Sequence, residues 1–252
     1  MRREYLLVAA VMLAAPCAAA AAAAGAAGAL FDTPIATEVV KLSADPANPG
    51  AKAKRTCNFY PGYMVKEVDL GEVGADELAI APVPDGGRRP ACAARTAGER
   101  IINPHDWSGY FAGAKGPFVF FDAEDGHNGG MPFAVYDASA GRKLFEDSRA
   151  GSFISIKLVG RGLVLRYRRV FDAGCSLYAG RGCWEKIRAA TKLADKPDCT
   201  AAYDKEKKRT PQFAGDVPGV STVVSYSVEV TYAGGKFTTV PQMGSITCWL
   251  ED

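Results

Sequence analysis

The chain has 252 residues, 48% of them hydrophobic and 23% charged, with a formal net charge of +2. That length and apolar fraction suffice for one well-filled core or two small ones, and they exclude an intrinsically disordered chain. The near-neutral charge gives no electrostatic footprint for nucleic acid or an anionic membrane, so neither is expected as a partner.

The first residues read as an export signal. Met1-Arg2-Arg3 is a basic start, Tyr5 to Ala15 is an apolar core, and a long alanine run follows to Gly28-Ala29. These are the three parts of a secretory leader in order, which predicts a cleaved signal peptide over residues 1–29. Other Ala-x-Ala sites upstream serve nearly as well. Polyalanine is too weakly apolar to span a bilayer well, which argues against an uncleaved anchor. Cys17 follows Pro16, a poor fit to a lipidation signal, and goes with the discarded leader. No later segment approaches the length of a transmembrane helix. The expected location is secreted or periplasmic, in a bacterial envelope.

Removing the leader leaves six cysteines: Cys57, Cys92, Cys175, Cys183, Cys199 and Cys248. An even number in an oxidising compartment reads as a disulfide framework. Neighbours in a meandering β-chain tend to lie close, so the expected pairs are Cys57–Cys92, Cys175–Cys183 and Cys199–Cys248. A zinc site built on these cysteines is the weaker reading, because no Cys-x-x-Cys occurs and only His105 and His127 could assist.

In chain order, residues 30–56 form an exposed lead-in segment with one candidate edge strand, Ile35 to Leu42. Residues 57–252 then form a single disulfide-bonded, β-rich domain. Pro61-Gly62 is a strong turn pair between Cys57–Tyr60 and Tyr63–Val68, and Leu78 to Ala81 is a further short strand. Ile101 to Gly116 is aromatic and glycine-rich without a clear period. Trp107, Tyr110 and Phe111 there could line a ligand groove, but large aromatics more often fill a core under an irregular connection. Phe118–Phe121 and Phe133–Tyr136 are short, wholly apolar runs suited to burial on both faces of a sheet. A third run begins at Lys143, after the turn Asp137 to Gly141.

Ser152 to Phe171 is the clearest hairpin, turning at Gly160-Arg161-Gly162. Arg166, Arg168 and Arg169 in its second strand suggest one solvated face, or an edge kept soluble by charge. Trp184, Ile187, Thr191 and Ala194 recur at helical spacing, and a second short helix is expected from Thr200 to Lys208. A last hairpin joins Ser221–Tyr232 to Lys236–Val240, and a final strand runs from Ser245 to Leu250. No internal repeat is present. The expected fold is mainly β, with antiparallel, hairpin-rich sheets of sandwich or barrel type and one or two short α-helices between Cys183 and Lys208.

The polar stretch richest in chemistry is the loop Asp122 to Gly130. Asp122, Glu124, Asp125 and Asn128 offer hard oxygens on a glycine-rich loop, the composition calcium prefers, although their spacing does not follow the EF-hand rule. Calcium is therefore the one cofactor considered, against the plain reading of a polar turn. His105, Trp107 and His127 are the candidate ligand-binding residues. No nucleophile elbow, metalloprotease helix or phosphate-binding loop occurs. The preferred function is a non-enzymatic exported β-domain that binds an unidentified protein or small-molecule ligand through its loops. One alternative is a secreted hydrolase using His105 or carboxylates near the acidic loop, such as Asp122 with Glu146. Another is an envelope protein stabilised by calcium.

Overall fold

The computed structural model describes residues 29–44, 48–84 and 88–251. The expected leader, residues 1–29, lies outside these except for Ala29, as do the loop residues 85–87. Among the described residues the chain is mainly β, 47% strand and 12% helix, in two antiparallel sheets.

The first sheet follows chain order: β1 (Ala36–Lys41), β2 (Lys54–Tyr60), β3 (Tyr63–Asp69), β4 (Glu77–Pro82) and β5 (Arg100–Ile101). The second also meanders: β6 (Gly109–Lys115), β7 (Phe118–Ala123), β8 (Met131–Asp137), β9 (Arg142–Val159), β10 (Gly162–Asp172), β11 (Thr222–Ala233) and β12 (Lys236–Pro241). A short last strand, β13 (Thr247–Leu250), pairs with the first half of β11. Two helices, α1 (Cys183–Thr191) and α2 (Thr200–Arg209), lie between β10 and β11. The cysteines pair as their order suggested: Cys57–Cys92, Cys175–Cys183 and Cys199–Cys248.

The apolar runs of β7 and β8 are buried on both faces because a core lies on each side. Val119, Phe121, Ala134 and Tyr136 meet Tyr63, Val65, Leu78 and Ile80 of the first sheet. Phe118, Phe120, Phe133 and Val135 point the other way, into a core shared with β9, β10, β11 and both helices. Side chains alternate across a strand, so a continuous apolar run needs a partner layer on both sides. The second sheet curls strongly toward this second core. Phe118 of β7 packs edge-to-face on Tyr232 of β11, centroids 5.6 Å apart, although three strands separate them in the sheet. It does not close into a barrel.

Three local readings are corrected. Ile101 to Gly116 is not an irregular connection throughout, since Gly109–Lys115 forms β6. Its glycines hide the strand signal but allow close approach: a side chain at position 109 would collide with the carbonyl of Asp122 on β7. The third run and the first arm of the following hairpin are one 18-residue strand, β9. A left-handed Gly151 (φ 69°) and a register irregularity against β10 bend it without breaking it. The arginines of β10 do not mark an edge, because β10 lies between β9 and β11. Arg166 and Arg168 face away from the core, while Arg169 faces inward.

Exposure along residues 30–56 is graded. Val39 is exposed, whereas Leu30 and Phe31 pack on the larger core. Phe31 stands edge-on to Phe120 at 5.3 Å and occupies the space above Gly113. Next to it, Asp32 accepts hydrogen bonds from the backbone of Gly116 (2.7 Å) and from Lys115 Nζ (2.8 Å). Burial alone would raise the Asp32 pKa. These bonds outweigh it and hold the carboxyl below its ordinary value. Glu77 and Asp137 are depressed in the same way, Glu77 by Lys66 and Arg95, and Asp137 by Ser139 and Ala140. Depressed folded values stabilise the protein above the unfolded carboxylate range of about 4, and the contribution is lost as pH falls through the lower folded values. Glu67 runs the other way, raised by burial. Thermal melting at steps between about pH 6 and 2.5 should therefore show an acid-side decline, smaller in Asp32→Asn. An unchanged acid limb in that variant would remove Asp32 from the account.

Candidate functional site

The acidic loop is seated, not free. Its tip is a tight turn closed by reciprocal backbone bonds between His127 and Gly130, with Asn128 in the left-handed region (φ 48°). Asn128 is buried, and its side-chain nitrogen lies 2.8 Å from Asp172 Oδ2 and 3.0 Å from His127 Nε2. Trp249 of β13 donates its indole N–H to the Asn128 carbonyl at 2.9 Å, and its ring packs on Gly129. Gly130 lies against Ser148 of β9 and Val170 of β10. The turn thus rests on side chains from three strands, β9, β10 and β13, which fixes where His127 stands.

The carboxylates expected to share a calcium ion are not gathered at one point. Asp122 projects from β7 into the curl of the sheet and receives Arg149 Nη2 through both oxygens, at 2.8 and 2.7 Å. Glu124 accepts from Ser108 Oγ at 3.0 Å, and Asp125 caps its own loop through the Gly126 amide. Asn128 serves Asp172. Glu146 lies on the face of β9 opposite to Asp122, paired with Lys143 at 2.6 Å, so those two carboxyls do not flank a common cleft. His105 is exposed in the turn before β6, its amide bonded to Asn103 Oδ1. Trp107 and Phe111 are half-buried against the smaller core, the packing role favoured for them.

The Asp122–Arg149 pair is the outer member of a polar row on the inner face of the curl. Asp147 of β9, its side chain 6% exposed, accepts from Arg169 Nε at 2.9 Å and from Tyr167 Oη at 2.5 Å. Burial first, and then the Asp147 charge, pushes the Tyr167 hydroxyl far up. Burial likewise raises Tyr226, although Arg169 beside it opposes the shift. Both phenols stay protonated, and Tyr167 donates. These pairings read as the polar end of a core in which every charge meets its opposite.

On the outer side, the structure builds a group the sequence did not show. Donor atoms of His127, Asp172 and Glu251 all lie within 4.8 Å of one another. Among the described residues this is the one cluster of three or more His, Cys, Asp or Glu donors so placed. It draws on the loop, on the end of β10 and on the residue just after β13. The half-buried Asp172 also accepts from the Gly174 amide. Glu251 is held through its backbone N–H, bonded to the Ser221 carbonyl. Beside Glu251 opens a groove of about 480 Å³ between α2 and β13. Phe213, Val217 and Trp249 give it an apolar floor, and its walls carry both signs of charge, Lys205 and Arg209 with Glu206, Asp216 and Glu251. Arg209 is paired with Glu206. The Cys199–Cys248 disulfide ties its two sides together.

Of the sequence-derived candidates, only His127 and Asn128 belong to this face. Asp172, Trp249 and Glu251 carried no local signal, because each is an ordinary residue at a strand end. No family model, curated protein or solved structure matches the chain. Among the described residues no helix is long and apolar enough to cross a membrane.

Proposed function

We propose that the protein is a secreted or periplasmic β-domain that binds a protein or small-molecule ligand, without turnover, through the face formed by the acidic loop, the end of β13 and α2. One observation carries the reading: the loop tip is locked by Asn128 and Trp249 beside an open groove with an apolar floor and charged walls. Binding sites combine apolar lining with a few placed polar groups, and loops on a rigid sheet are where such groups concentrate. The leader pattern and the three disulfides support an exported location.

Thermal melting against a panel of small acidic and amphipathic metabolites tests it. A ligand present at about 100 times its dissociation constant should add roughly 2.7 kcal/mol of stability. Lys205→Glu and Phe213→Ser, both on the groove, should abolish that shift and leave the ligand-free melting point nearly unchanged. A shift that survives both substitutions would move the binding face elsewhere. Turnover of a compound, lost on changing one polar residue, would replace this reading with the hydrolase one.

A further inference from the structure

The proposed binding face carries two carboxylates, Asp172 and Glu251, drawn together with an imidazole. None of the ion pairs formed among the described residues includes either of them. Several other buried or half-buried acids do have a basic partner: Asp122 with Arg149, Asp147 with Arg169, and Glu77 and Glu99 with Lys66. Here two carboxylates and an imidazole stand together. Two like charges brought this close favour a cation between them.

We infer that His127, Asp172 and Glu251 form a binding site for a divalent transition cation of the zinc type. This deepens the ligand-binding reading above, and rests on it for the face concerned. The donor set decides the class of ion. One imidazole nitrogen with two carboxylate oxygens suits zinc and its neighbours, whereas calcium takes six to eight oxygens. Zinc binds imidazole nitrogen at about 2.0–2.1 Å and carboxylate oxygen at about 2.0–2.2 Å, so its ligands stand roughly 3.2–3.6 Å apart. The donor atoms lie within 4.8 Å of one another, a little over an ångström from that spacing. A +2 ion also balances the two carboxylates.

The supports lie one layer behind. The buried Asn128 amide donates to Asp172, and Trp249 fixes the Asn128 carbonyl. Partners of this kind orient metal ligands, and their loss typically costs about 10–100-fold in affinity. The same amide nitrogen lies 3.0 Å from His127 Nε2, which accepts from it, so zinc would displace this contact to take the imidazole. Three protein ligands leave the fourth tetrahedral position open, to be filled by water or by a donor from whatever occupies the adjoining groove.

The test uses the purified, disulfide-bonded protein, freed of metal with a chelator and titrated with Zn²⁺ or Ca²⁺ alone, with binding read by calorimetry and by melting. Zn²⁺ should bind at one equivalent and raise the melting temperature, and Ca²⁺ should not. His127→Ala and Glu251→Gln should each weaken Zn²⁺ at least about 10-fold, while their metal-free melting curves stay near the parent's. Asp122→Asn should leave Zn²⁺ affinity intact. Co²⁺ in place of Zn²⁺ should quench tryptophan fluorescence, and Trp249→Phe should remove most of that quenching. Absence of Zn²⁺ binding, or binding equal in parent and both ligand variants, overturns the site. A Ca²⁺ response lost in Asp122→Asn would overturn it in favour of the loop carboxylates. If Zn²⁺ fails while the Lys205 and Phe213 variants still abolish a ligand shift, the metal falls and the binding face stands.

Discussion

Replacing Lys66 by alanine should destabilise the protein by about 3–5 kcal/mol, the usual cost of stripping one partner from a buried ion pair. Lys66 lies on β3, opposite Cys57 of β2, and its side chain is fully buried. Its ammonium reaches Glu99 Oε2 at 2.7 Å, Glu77 Oε1 at 2.9 Å and the Ala94 carbonyl at 2.9 Å. With the neighbouring Cys57–Cys92 disulfide, it lays the segment before β5 across the outer face of the first sheet. Alanine would leave the Glu99 carboxylate, 6% exposed, with the Thr96 amide at 3.1 Å and the longer 3.5 Å contact to Arg95. Urea denaturation measures the loss through the midpoint at constant slope. Lys66→Met combined with Glu99→Gln should recover much of it, because neutral groups of similar volume replace a buried pair at small cost. A loss below about 1 kcal/mol in the alanine variant would mean that water reaches the network and screens it.

Removing the Cys199–Cys248 bridge, as the double serine variant, should cost about 4 kcal/mol, the largest penalty of the three disulfides. The bridge closes a separation of 49 residues, against 35 for Cys57–Cys92 and 8 for Cys175–Cys183. In the chain-entropy account the cost grows with the logarithm of the loop, giving about 4, 3.8 and 2.5 kcal/mol in that order. This bridge also reaches the binding face. Cys248 sits on β13, one residue before Trp249 and three before Glu251, while Cys199 caps the start of α2. Its loss should therefore loosen the Trp249–Asn128 contact and weaken Zn²⁺ binding, whereas loss of Cys57–Cys92 should lower stability and leave the metal site alone. Melting temperature and Zn²⁺ affinity, measured on both double variants, separate the two effects. Equal Zn²⁺ affinities in the two would show that β13 is held without the disulfide.

Much of the β-framework was legible along the chain. Pro61-Gly62, Gly160-Arg161-Gly162 and Ala233-Gly234-Gly235 mark hairpins that form at those places. The runs Phe118–Phe121 and Phe133–Tyr136 announced strands buried on both sides, because no half-solvated strand can keep four consecutive apolar residues out of water. The helical spacing of Trp184, Ile187 and Thr191 placed α1 within a few residues. Cysteine order sufficed for the disulfides, since a meandering chain keeps sequence neighbours adjacent.

Strand β6 was lost to view because its glycines serve packing across the sheet, against Asp122 and Phe31, and packing across strands leaves no period of its own. Arg169 is the same case. Next to Arg168 it reads as one more surface charge, yet alternation turns it inward, onto Asp147 and Tyr226.

What the sequence determined by itself is which residues share a face and where the chain turns, for both follow from period-two alternation and from local backbone preference. What only the tertiary structure decided is which faces meet. Asp122 and Glu124, two positions apart, end on separate partners. His127, Asp172 and Glu251, far apart in the chain, converge because the curl of the second sheet and the pairing of β13 with β11 bring three strand ends to one place. Strand periodicity carries no information about that distance, so the acidic loop could be found from the sequence and the group it joins could not.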